Sequence, residues 1–135
     1  MNSIIEIHDS TLASISFVGH DLVLCLSPAY VHQTAGRPGI DQGSGWVQDI
    51  NVVFSEAVVE FSPLEIPCGL SERTLSVGEI HWDNGIPLPL AVSGEVSLTA
   101  ITCQNERLVV RGTGASAVTL GALRYVEEFP GSAND

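Results

Sequence analysis

The chain has 135 residues, 44% apolar and 16% charged, which excludes disorder and fits one domain with its own core. Five arginines, no lysine and sixteen acids give a net charge of −11, a field that repels nucleic-acid phosphates and anionic membranes and suits a basic partner, a cation or plain solubility. Cys25, Cys68 and Cys103 are odd in number and lack CxxC spacing, which argues against a disulfide framework and a cysteine-rich zinc site.

Strand-like alternation begins at once. Ser3–His8 alternates around Ile5 and Ile7, and His8-Asp9-Ser10 carries the side chains of a turn. Thr11–Val18 sets Ala13, Ile15 and Phe17 on one face. Gly19-His20-Asp21 connects it to Asp21–Ser27, which is apolar on both faces, reads as a central strand and is expected to end at Pro28. Tyr30 to Asp49 then reads as a long polar loop, with a turn signal at Pro38-Gly39 and the only cation of the first seventy-two residues at Arg37.

Trp46–Phe54 resumes the alternation, Ser55-Glu56 turns, and Ala57–Phe61 returns. Ser62–Gly69 is an irregular crossover. Arg73–Trp82 shifts phase at Gly78, which predicts a bulge, and Asp83-Asn84-Gly85 predicts a hairpin turn. Ile86–Val92, interrupted by Pro87 and Pro89, reads as an edge strand. Glu95–Cys103, Arg107–Arg111, Ala115–Leu120 and Ala122–Phe129 complete the strands, with a flexible link at Gly112-Thr113-Gly114 and a frayed tail over Pro130–Asp135. No segment sustains a helical period. The expected fold is a single all-β domain over residues 1–135, an antiparallel β-sandwich or flattened barrel of nine or ten short strands. No apolar run reaches membrane-spanning length and the opening residues lack the pattern of a signal peptide, so the expected compartment is the cytoplasm.

Four chemistries are weighed. In the polar stretch, Trp46 with Arg37, Asp41, Gln42, Gln48 and Asp49 forms a sugar-binding set, an indole for stacking beside amides and carboxylates for hydroxyls. The competing reading packs Trp46 on the core and pairs Arg37 with Asp41 or Asp49. His8, His20, His32 and His81, each near a carboxylate, are candidate metal ligands, but no H-x-H or H-x₃-H pair exists. Ser10, Ser44, His32 and Asp41 supply the residue types of a nucleophilic triad without a G-x-S-x-G elbow, and no paired carboxylates are identified for glycoside chemistry. The proline-broken segment after Trp82 is a candidate interface, including one with a second copy, because a chain without lysine lacks the usual edge protection.

At His8-Asp9-Ser10 and Leu12, followed by the hairpin ending in Asp21–Leu26, the chain resembles short uncharacterised bacterial all-β families, some of them similar to immunity proteins that accompany secreted toxins. The likeness covers about the first thirty residues. It implies a small β domain and carries no catalytic residue across. Taken together, these features lead to a non-enzymatic binding or interaction domain without a cofactor. Its anchors are Trp46 and Trp82, with Arg37, Asp41, Gln48, Asp49 and His32, and its partner is a basic protein, including a toxin-type partner. The alternatives are a carbohydrate-binding or metal-dependent carbohydrate-active protein using the 30–49 stretch, and a structural homo-oligomer.

Overall fold

The computed structural model describes residues 2–37 and 41–129, with backbone alone at residues 72, 73 and 129. The predicted Pro38-Gly39 turn and the 130–135 tail lie outside the described residues. Ten strands form: β1 (Asn2–Glu6), β2 (Thr11–Val18), β3 (Asp21–Thr34), β4 (Gly43–Ser55), β5 (Val58–Phe61), β6 (Cys68–Val77), β7 (Ile80–Asp83), β8 (Gly85–Leu88), β9 (Ala91–Thr102) and β10 (Arg107–Phe129). A 3₁₀ turn over Ile7–Asp9 is the one helical element among the described residues. The fold is therefore all-β, and every strand pairing in it is antiparallel. Among the described residues no helix is long and apolar enough to cross a membrane.

The order of paired neighbours is β2–β6–β9–β10–β4–β3–β1–β8, and β2 also pairs β3. Six strands thus return to their starting point, while β1 and β8 carry the sheet onward from β3. The alternation seen in the sequence explains the centre of this arrangement. Leu22, Leu24 and Leu26 of β3 stand opposite Phe54, Val52 and Ile50 of β4, and all six are buried. Burial of side chains of this size contributes roughly 1.5–3 kcal/mol each. Leu12, Leu75, Val96, Leu98, Leu108 and Val110 bring β2, β6, β9 and β10 into the same core.

Five expectations are corrected. Pro28 does not end its strand. The register shifts between Leu26 and Ala29, so a bulge absorbs the proline and β3 runs on to Thr34. The polar stretch from Tyr30 to Asp49 is consequently not one loop. Most of it is two long strands, β3 and β4, paired through Thr34↔Gly43, so that His32, Gln33, Gln48 and Asp49 are strand residues while Arg37, Asp41 and Gln42 lie in the connection. Gly78 (φ +58) is the turn of a β6–β7 hairpin and not a bulge. Asn84 (φ 55) turns the chain as its left-handed preference allows, but β7 pairs β6 while β8 pairs β1, so no hairpin forms there. Finally, Arg107 to Phe129 is a single strand. Gly112 and Gly114 lie inside it where β10 passes from β9 to β4, and a Cβ at Gly112 would stand 2.8 Å from the Ser55 carbonyl oxygen. Their glycine character reflects a close backbone crossing and not a flexible link.

The expected edge character of residues 86–92 holds for β8, which closes one side of the sheet with Pro87 opposite Ile4. The other side is β10. Beyond Ser116 it pairs only β4, and among the described residues no strand lies along its opposite edge. At the start of that edge the Ala117 N–H donates to the Leu90 carbonyl at 3.0 Å.

Candidate functional site

The sequence-selected residues do not converge. Arg37 is exposed at the hairpin tip, where its backbone N–H donates to Asp41 Oδ2 at 2.6 Å and its Nε lies 3.3 Å from the same oxygen. The Arg37 N–H, and then its guanidinium, hold the Asp41 carboxyl below its usual range. This is the self-paired tip foreseen as the competing reading. Asp49 accepts from Ser27 Oγ at 2.7 Å. Trp82 packs on the core from β7, in register with Leu75. His32 is wholly buried in β3, with Nδ1 3.6 Å from Glu6 Oε1. Burial lowers its pKa, and a hydrogen bond with the Asp41 backbone offsets part of that.

Of the histidines, His20 and His81 lie in separate places, whereas His8 and His32 both border Glu6. His20 is exposed at the turn between β2 and β3. His81 Nδ1 is 2.7 Å from Ser76 Oγ across the β6–β7 hairpin, an exposed serine–histidine pair on the outer strand beside β6, which pairs β9 on its other side. The triad residues are otherwise engaged: Ser10 Oγ donates to the Glu6 carbonyl and accepts from Tyr30 N–H, and Ser44 Oγ accepts from Trp46 Nε1–H.

His8 alone joins a compact ligand-type cluster, with Glu6 and Asp9. Its hydrogen bonds settle what that cluster does. The His8 backbone N–H donates to Asn84 Oδ1 at 2.9 Å, which turns the Asn84 amide N–H toward His8 Nδ1 at 2.6 Å. Nδ1 is therefore an acceptor and the neutral ring carries its proton on Nε2, the nitrogen 3.2 Å from Asp9 Oδ2. A metal on the carboxylate side would need Nε2 bare, whereas that nitrogen carries the proton and the bare Nδ1 is taken by Asn84. The cluster is thus an Asn84–His8–Asp9 hydrogen-bonded turn. Burial, then the Asp9 charge, raises the Glu6 pKa.

A second polar group on the same sheet was missed in the sequence. Tyr30 Oη donates to Glu127 Oε1 at 2.7 Å, reaching from β3 over β4 to β10. It passes directly above Gly45, where a Cβ would come within 2.6 Å of the ring Cζ and closer still to the hydroxyl. Burial and the Glu127 carboxylate push the Tyr30 phenol up.

The opposite face of this part of the sheet forms a cleft of about 470 Å³. Its floor is Val31, Gln48 and Ala117 from β3, β4 and β10, its walls Leu88–Pro89 and Leu123, and Gln33 and Thr119 stand at its margins. Among the described residues no charged side chain lines it, although the chain carries −11. Gln48 is 9% exposed, and its Nε2 donates to the Gly121 carbonyl at 2.8 Å, which fixes the amide and assigns Oε1 as its acceptor end. Trp46 stands beside this region, edge to face with Tyr125 at 5.4 Å. Its N–H donates to Ser44 Oγ, and its ring is partly buried against the core, as in the competing reading. Of the expected binding residues, then, only Gln48 lines the cleft. The others that line it were invisible because strand register alone brings them together.

No protein-family model, curated protein or solved structure matches this chain.

Proposed function

We propose that this protein is a non-enzymatic binding domain that recognises an extended, basic polypeptide segment of another protein by adding it as a strand to β10. The observation that carries this reading is the edge of β10 from Val118 to Phe129, along which no strand lies among the described residues. An edge of this length offers a row of backbone donors and acceptors to an incoming chain. Val118, Leu120, Tyr125 and Val126 are exposed along it, and no lysine guards it. The net charge of −11 favours a cationic partner and opposes a second copy of the same chain. The separated candidate catalytic residues and the hydrogen-bonded His8 support a binding role over the carbohydrate-active one.

The test is to pan a random decapeptide library against the purified protein and to weigh the free protein by sedimentation. The expected result is a monomer that retains lysine- and arginine-rich peptides, with binding that weakens as salt rises and fails when alternate peptide backbone nitrogens are methylated. A dimer would give the edge to a second copy and overturn the proposal, as would peptides indifferent to N-methylation.

A further inference from the structure

We infer that the uncharged cleft is the side-chain pocket of the strand added to β10, and that it selects a tyrosine or tryptophan in an otherwise basic segment. The inference rests on the edge-addition reading above and supplies its specificity. Side chains of a strand laid beside β10 alternate between the two faces of the sheet, and directly opposed residues bring their Cβ atoms within about 5.5 Å. Ala117, Thr119 and Leu123 are the β10 residues that face the cleft. A residue paired opposite them therefore directs its side chain into the same space. Ala117 and Thr119 are small, so they leave room rather than fill it.

The chemistry of the lining then narrows the occupant. Val31, Leu88, Pro89 and Leu123 present apolar surface, which suits a ring. The absence of any charged lining residue disfavours the lysines and arginines that the rest of the segment carries. Gln48 lines the cleft, and the bond from Nε2 to Gly121 fixes its amide before anything binds, so that Oε1 is the atom that accepts from an occupant. A phenol O–H or an indole N–H supplies that donor, whereas phenylalanine and leucine would bury the acceptor unsatisfied. The cleft, at about 470 Å³, is ample for either ring.

The experiment uses the peptides retained from the decapeptide library and the whole protein. The expected consensus has a tyrosine or tryptophan at one fixed position among basic residues. Replacing it by phenylalanine weakens binding by about tenfold, and by alanine further. Thr119→Trp, which fills the cleft from an exposed position, weakens the parent peptide to the level of the alanine peptide. If N-methylation abolishes binding while the aromatic exchanges and Thr119→Trp change nothing, edge addition stands and the pocket is overturned. If N-methylation changes nothing, or no peptide is retained, both fail together.

Discussion

Replacing Gly45 by alanine isolates a contact that spans three strands. The new methyl group would meet the Tyr30 ring at 2.6 Å from Cζ, so the ring must swing off β4 and release Glu127. A hydrogen bond to a charged acceptor is worth roughly 1.5–3 kcal/mol, and the solvent exposure of this one brings it nearer 1. Loss of the ring's cover over the strand adds to this, while alanine recovers about 0.5–1 kcal/mol of backbone entropy. The net expectation is a loss of about 1–2 kcal/mol, or a melting temperature lower by roughly 3–7 °C for a domain of this size. Urea denaturation of wild type, Gly45→Ala, Tyr30→Ala and the double variant forms a cycle. Without the Tyr30 ring the same glycine exchange becomes neutral or stabilising, because only the entropy gain remains. An equal cost of Gly45→Ala in both backgrounds would refute the steric account.

Asn84→Asp tests the hydrogen bonding of His8. An aspartate accepts from both the His8 backbone N–H and Nδ1–H, freeing Nε2 beside Glu6 and Asp9, so zinc affinity by calorimetry should rise by about tenfold or more over a weak wild type. His32 predicts a pH effect of definite sign. Its folded pKa is lowered by burial, so the unfolded chain binds the proton first, and stability falls as pH drops from about 6.5 through the folded value. The raised pKa of Glu6 acts oppositely at its own lower pH, where protonation favours the fold, so His32→Gln should remove only the upper part of the slope in denaturation midpoints. Gly112→Ala should cost about 1–3 kcal/mol in the same assay, because its Cβ meets the Ser55 carbonyl and not a movable side chain, whereas Thr113→Ala should cost little.

The sequence alone carried the fold class, the strand-rich organisation and most turns. Alternation such as Leu22-Leu24-Leu26 and Ile50-Val52-Phe54 is a local property, and so are Asn84 and Asn105 at positive φ. It misjudged the stretch from Tyr30 to Asp49, because polarity reads as loop unless the paired strand is known. Thr34 is buried there by its hydrogen bond to the Gln42 carbonyl across the hairpin, and His32 by the strands and loop around it. It also split β10 at Gly112 and Gly114, where glycine marks a close crossing that no linear pattern distinguishes from flexibility.

The site was less legible than the fold. The competing reading paired Arg37 with Asp41 or Asp49, and it is Asp41, four residues away in sequence, that the guanidinium meets. Tyr30 with Glu127, His8 with Asn84, and Gln48 with Gly121 are separated by most of a strand or of the chain, and their meeting depends on register. Residue types determine which bonds a side chain is able to make. Which partner it finds is decided by strand order and by bulges such as that between Leu120 and Arg124, because one slipped residue turns every side chain to the opposite face.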